Sequence, residues 1–140
     1  MYYDQISVGD SASFEKTISE SDVYLFAGIT GDLNPAHINQ RHAETTKFGT
    51  RIVHGMLTGS LFSTVFGTKL PGEGSIYISQ TLTFTAPVPI GETIKATVTV
   101  AEKMEKGRVR CECVATKPDG TVVVEGEAVL SCPRPPKPVE

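Results

Sequence analysis

The residues best suited to proton transfer in this sequence are Asp32 and His37, at the two ends of a short polar segment, DLNPAH (32–37). A carboxylate and an imidazole can pass protons to and from one bound water, so the pair suits general acid–base catalysis. Their spacing would not bring them together on a regular helix. Pro35 lies between them and interrupts helical structure, so the chain can turn both side chains toward one point.

Two other interpretations fit the same spacing. Asp32 and Asn34 are ordinary turn formers, so the segment also suits a plain surface turn that carries a surface histidine. A metal site would need a third ligand beside Asp32 and His37, and His42 or Glu44 would have to supply it. The sequence has none of the helical histidine pairs typical of zinc enzymes, so we expect no metal.

A further candidate is the backbone N–H of Gly55, near the start of the apolar segment HGMLTGSLFSTVFGTKL (54–70). A helix N-terminus presents unpaired N–H groups, and glycine lets a substrate oxygen approach them as it gains charge. A glycine required only for packing is an equally good interpretation. Ser63, two turns further on, is by itself typical of a hydroxyl bonded to its own helix.

The sequence pattern predicts mainly helices in the first half of the chain and strands in the second, and these elements must hold the candidate residues in place. A long helix that is apolar on nearly all sides should be buried, and a curved antiparallel sheet wrapped around it buries it best. The predicted fold is therefore α+β. The predicted elements are a strand over 11–18, a helix capped by Ser19 or Ser21, a structured turn over 31–39, a short helix over 41–48, the long helix over 54–70, and strands over 75–88, 92–104, 108–117 and 121–132.

The domain organisation follows from the same pattern. We expect a single domain over residues 1–132 and a flexible, proline-rich tail over 133–140. One sheet covers only one side of the long helix and leaves edge strands, so we expect a homodimer.

Composition and charge exclude several classes of protein. The 140 residues carry a net charge of -3, which argues against nucleic-acid binding through phosphate contacts. No apolar run reaches about 18 residues, so no membrane span is expected. The three cysteines lack a disulfide framework, and the N-terminus lacks a signal-peptide pattern, so we expect a cytoplasmic protein with reduced thiols.

Two segments together resemble the MaoC-like hydratases, above all the short (R)-specific enoyl-CoA hydratases. They are YLFAGITGDLNPAH (24–37) and FGTRIVHGML (48–57), and the likeness continues through LPGEGSIY (70–77) and the strands that follow. The D-x-N-P-x-H turn combined with I-V-H-G-M is highly specific. The resemblance implies a hot-dog fold, a homodimer and a cytoplasmic hydro-lyase of acyl-CoA and fatty acid metabolism.

The implied reaction adds water to trans-2-enoyl-CoA to give (R)-3-hydroxyacyl-CoA, reversibly and without a cofactor. The family's catalytic aspartate and histidine fall on Asp32 and His37. Its oxyanion amide falls on Gly55 and its active-site serine on Ser63. The adjoining Asn34 and Pro35 would support the turn. Candidates for the CoA phosphates are Lys47, Arg51 and Lys69.

Three alternatives use the same fold. A hot-dog dehydratase would act on an acyl chain held by a carrier protein, a thioesterase would hydrolyse the thioester, and a binding module would hold acyl-CoA without reaction. The complete turn disfavours the thioesterase. The presence of both Asp32 and His37 disfavours the binding module. Asp32 is the preferred base, with His37 orienting the water and relaying its proton.

Overall fold

The computed structural model describes residues 1–139, which form one antiparallel sheet curved around a long helix. The elements are β1 (Ser11–Thr17), α1 (Glu20–Thr30), α2 (Pro35–Ile38), α3 (Gln40–Ala43), α4 (Gly55–Thr68), β2 (Ile76–Gln80), β3 (Thr83–Phe84), β4 (Thr93–Lys103), β5 (Arg108–Thr116) and β6 (Val122–Ser131), with short 3-10 turns at Tyr3–Gln5 and Glu105–Gly107. The sheet order is β1-β4-β5-β6-β2, and β3 also pairs with β6. This confirms the predicted α+β architecture.

The core lies between one side of α4 and the concave face of the sheet. Phe62 and Phe66 of α4 are at most 1% exposed, and the alternating positions of β4, β5 and β6 that face them are buried too. The opposite side of α4 carries Met56, Ser60 and Ser63, all exposed. The expectation that α4 is buried on nearly all sides is therefore wrong for a single chain, because the sheet offers only one concave face.

Two predicted elements are shorter than expected. The helix predicted over 41–48 ends at Ala43, and the hydroxyls of Thr45 and Thr46 donate to the carbonyls of His42 and Ala43. Such side-chain bonds compete with helical ones. The strand predicted over 75–88 is divided into β2 and β3, which both pair with β6 and are interrupted where Thr81 lies close against Gly126.

The turn predicted over 31–39 contains a short helix, α2. Asn34 caps it by accepting a hydrogen bond from the Ala36 N–H at 3.0 Å. Pro35 occupies its first position, where a missing N–H costs nothing. Pro35 therefore ends one helix and begins the next, which changes the chain direction between Asp32 and His37.

The ends of the chain add little regular structure. Residues 133–139 have no helix or strand, and Glu140 lies outside the described residues. Between residues 1 and 139, no helix combines the length and hydropathy needed to cross a membrane.

Candidate active site

Asp32 follows directly on the end of α1 and is fixed by its neighbours in the chain. Gly31 adopts a left-handed conformation with φ of 80°, which turns the chain away from the helix. The Asp32 N–H then donates to the Thr30 hydroxyl at 3.1 Å, and the Asn34 N–H donates to Asp32 Oδ1 at 3.2 Å. The Asp32 side chain is 51% exposed, and Oδ2 accepts no hydrogen bond from residues 1–139. That oxygen remains available to accept a proton.

His37 is held by the segment that leads into α4. Its Nδ1 lies 2.7 Å from the Ile52 carbonyl oxygen. A carbonyl oxygen only accepts, so Nδ1 must carry the hydrogen and Nε2 of the neutral ring must hold a lone pair. The Ile52 N–H donates in return to the Ala36 carbonyl at 3.1 Å. His37 therefore presents a fixed proton acceptor at Nε2.

The structure adds a third residue, His54, which sequence reasoning placed only at the start of the long helix. Its ring is stacked on that of His37, with centroids 3.8 Å apart and planes 26° apart. Its Nε2 lies 3.0 Å from the Asp32 carbonyl oxygen. The signal that points to it is its place in the I-V-H-G-M segment, but only the tertiary fold brings that segment beside the turn.

Ligand-capable atoms of Asp32, His37 and His54 lie within 4.8 Å of one another. The third ligand-capable side chain beside Asp32 and His37 is therefore His54, and not His42 or Glu44 as the sequence suggested. A water that makes ordinary hydrogen bonds of about 2.8 Å can span atoms this far apart. The His37 Nδ1 and the His54 Nε2 each face a carbonyl oxygen, which only accepts, so both nitrogens carry hydrogens and neither can bind a metal in this arrangement.

Gly55 begins α4 beside this cluster. The first main-chain bonds of the helix come from the Leu57 and Thr58 N–H groups, which share the His54 carbonyl. The N–H groups of Gly55 and Met56 donate to no atom of residues 1–139. A Cβ on Gly55 would lie 2.8 Å from two atoms of the Phe84 ring, so the position requires glycine unless that ring moves.

A cavity of about 670 Å³ joins these groups. Asp32, His37, His54 and Gly55 line it together with mainly apolar side chains, which suits an acyl chain beside a polar reaction centre. Two buried polar atoms on its wall, His54 Nδ1 and the Thr58 hydroxyl, have no hydrogen-bond partner among residues 1–139. The apolar residues of the wall include Phe26, Phe48, Ile52, Val53, Phe84, Ala86, Val88, Val123 and Val124.

Ser63 is not brought to this cluster within one chain. It lies on the exposed side of α4 and lines a separate depression of about 360 Å³ with Gly59, Tyr77 and Leu82. Met56 borders both spaces.

Two of the three candidate cations for the CoA phosphates are engaged elsewhere. The Arg51 guanidinium donates to Glu20 at 2.8 Å, to the Tyr24 hydroxyl at 2.7 Å and to Gln40 at 3.2 Å. Its bond and charge lower the pKa of the Glu20 carboxyl. Lys69 donates to the Ser13 carbonyl. Arg51 therefore ties α1 and α3 to the segment before α4, which leaves Lys47 as the remaining candidate.

A family model described as "MaoC like domain" matches residues 5–123. The chain belongs to the MaoC-like family. This confirms the family indicated by the turn and the I-V-H-G-M segment.

Known proteins of this family are close in both sequence and structure. An (R)-specific enoyl-CoA hydratase of Rhodospirillum rubrum is 53% identical over 94% of this chain and 92% of its own length. A 3-hydroxybutyryl-CoA dehydratase of Methylorubrum extorquens is 47% identical over 96% of this chain and 85% of its own length. The unliganded (R)-hydratase of Pseudomonas aeruginosa superposes with a TM-score of 0.91 at 40% identity, covering 99% of this chain and 96% of its own. The predicted hot-dog fold is thereby confirmed.

Proposed function

We propose that this protein is an (R)-specific enoyl-CoA hydratase that adds water to trans-2-enoyl-CoA and gives (R)-3-hydroxyacyl-CoA. The observation that carries the proposal is the convergence of Asp32 and His37, each with an acceptor atom that bonds to no other described residue, in a cavity that Gly55 also lines. The names of the relatives, a hydratase and a dehydratase, describe the two directions of one such reaction.

The proposed reaction begins with one water held between Asp32 and His37. Both acceptors draw on its protons, and Asp32 takes one as the water oxygen bonds to C3 of the enoyl group. Electrons of the C2–C3 double bond move toward the thioester oxygen, which becomes enolate-like. His37, with its Nδ1–H held by Ile52, orients the water and relays the proton.

The second half of the reaction stabilises the charge on the thioester oxygen and delivers the proton to C2. The thioester oxygen gains negative charge at the start of α4, where the Gly55 N–H stabilises it. The enolate-like species collapses as C2 takes the proton that came from the water, so H and OH add across one bond and the two residues return to their starting states. Addition from one side of the double bond gives syn stereochemistry. No step requires a metal or a cofactor.

We also propose that the active protein is a homodimer in the cytoplasm, with one domain over residues 1–132 and a flexible tail over the described residues 133–139. The exposed side of α4 lies next to edge strand β2, where Ile76, Tyr77 and Ile78 are at least 40% exposed. A second copy placed there would cover both. In that arrangement Ser63, which lines the separate depression beside β2, lies at the interface and not at the Asp32 cluster.

The test is incubation with crotonyl-CoA while the enoyl thioester and free CoA thiol are measured in parallel. The proposal expects loss of the enoyl group without release of CoA, and the same rate after exhaustive treatment with EDTA. Release of free CoA would identify a thioesterase instead. Loss of activity with EDTA that zinc restores would overturn the metal-free mechanism, and binding without turnover would indicate a non-catalytic module.

A further inference from the structure

The imidazole of His54 lies beside the proposed catalytic pair but has no part in the reaction scheme. It is 2% exposed. It contacts both members of the proposed pair, through the 3.0 Å approach of Nε2 to the Asp32 carbonyl and through its stack on the His37 ring. Phe26 packs on it as well, with ring centroids 4.9 Å apart.

The hydrogen on His54 can be placed from its partner. The Asp32 carbonyl oxygen only accepts, so Nε2 is the donor. Nδ1 is buried and has no partner among residues 1–139. A buried polar atom without a partner destabilises a fold, and an apolar side chain of similar size would fill this space without that cost. The imidazole is therefore poorly explained by packing alone.

We propose that His54 is a positioning residue for the Asp32 and His37 pair, an inference that rests on the proposed hydratase function. Its Nε2–H holds the backbone carbonyl of Asp32, so the Asp32 carboxylate stays at the cavity. Its ring supports one face of His37, whose Nδ1 is already fixed by Ile52. His54 itself is not the proton carrier, because the nitrogen that faces the turn is engaged with a carbonyl.

The test compares His54→Gln with His54→Met. The two side chains have nearly the same length, and the Gln amide can place an N–H donor near the position of Nε2, whereas Met cannot. His42, which is exposed on α3, supplies the matched controls His42→Gln and His42→Met. Thermal melts establish that each variant is folded.

For His54→Met we expect kcat to fall about 10–100-fold, the loss expected when a catalytic group is displaced without being removed. KM should change by less than about threefold, because substrate contacts are retained. The kcat of His54→Gln should be at least about tenfold higher than that of His54→Met. Both His42 variants should match the wild type. Wild-type kcat in His54→Met, or equal losses in Met and Gln variants, would overturn the proposal.

A second readout separates this inference from the proposed function. The N–H groups of Asn34 and His37 are hydrogen-bonded within the turn, so their hydrogen exchange reports its order. They should exchange faster in His54→Met than in His54→Gln, while the amide of Phe62 in α4 is unchanged. This holds even if the wild type fails to hydrate crotonyl-CoA, which would refute the function alone. Equal exchange in the two variants would refute the positioning role.

Discussion

At the residue scale, the proposed reaction uses one water shared by two acceptors from the same turn. Asp32 lies before α2 and His37 lies within it, and each has its own fixed partner, the Asn34 N–H for Asp32 and the Ile52 carbonyl for His37. Removal of either side chain removes the geometry that the other serves. The two residues should therefore behave as a unit.

We expect Asp32→Asn and His37→Ala each to lower kcat/KM by at least about 10²-fold, the lower range for general acid–base catalysis. The double variant should be scarcely worse than the worse single variant, because residues that act together are not additive. Ser63→Ala should lower kcat/KM by a smaller factor than either single change. Near-wild-type turnover in Asp32→Asn, or losses that simply multiply, would contradict the shared water. Thermal melts are the control, and they should change little since Asp32 is half exposed.

Much of the site could be predicted from the sequence because its main residues lie in two short, contiguous segments. Asp32, Asn34, Pro35 and His37 form one turn, and the position of Gly55 at a helix N-terminus follows from local pattern. His54 could not be assigned in the same way. Its importance depends on contacts with residues 22 and 17 positions away, which only the path of the chain before α4 creates.

At the element scale, the close contact between the β2–β3 link and β6 depends on Gly126. A Cβ at this position would lie 1.9 Å from the Thr81 carbonyl oxygen, which is a backbone atom and cannot turn aside. Thr81 is itself held by its N–H bond to the Glu127 carbonyl at 2.8 Å. Gly126 is therefore required by close approach.

We expect Gly126→Ala to lower the free energy of unfolding by at least about 2 kcal/mol, as overpacking at a rigid contact does. Gly28→Ala is the matched control, because a Cβ at that helical position meets nothing within 4 Å. It should be neutral or stabilising by up to about 1 kcal/mol. Urea unfolding of both variants provides the measurement. Equal stabilities would show that the Thr81 backbone can move away from Gly126 at little cost.

The strand β5 carries two thiols on the buried face. Burial raises the pKa of Cys111 to about 12 and that of Cys113 to about 11. We expect both to resist alkylation at pH 8 in the native protein and to react once urea unfolds it, since the thiolate is the nucleophile. Rapid labelling of the folded protein would contradict their burial.

The raised pKa values of these thiols also determine how the stability of the fold changes with pH. The folded state keeps protons that the unfolded state releases above the ordinary thiol pKa of 9.0. The contribution of these thiols is therefore fully present below that pH and declines as the pH rises toward about 12. Cys113→Ala should show a smaller decline than the wild type over that range.

The sequence predicted the elements with strong periodicity and missed those decided by single contacts. The alternation of β4 and β5 and the apolar content of α4 place these elements correctly. The early end of α3 results from two threonine hydroxyls, and the break between β2 and β3 from the contact of Thr81 with Gly126. Neither has a signal in hydrophobic pattern.

At the scale of the whole molecule, we propose that two copies pair through β2 and the exposed side of α4. The species in solution should have about twice the chain mass of 15.0 kDa. Ile78→Lys should shift it toward monomer and lower activity, because a charge at a buried interface is costly. Val8→Lys is the control, since Val8 is exposed elsewhere on the surface. Analytical sedimentation measures the mass of the wild type and of both variants. A fully active wild-type monomer would contradict the proposal.

In the proposed reaction, one water held by Asp32 and His37 adds to a single face of the enoyl thioester. The decisive measurement is chiral analysis of the 3-hydroxybutyryl-CoA formed from crotonyl-CoA, with Asp32→Asn as the control for a background reaction. We expect the (R) product in excess with the wild type and little product with the variant. An (S) product, or a racemic one that forms equally well with Asp32→Asn, would contradict it.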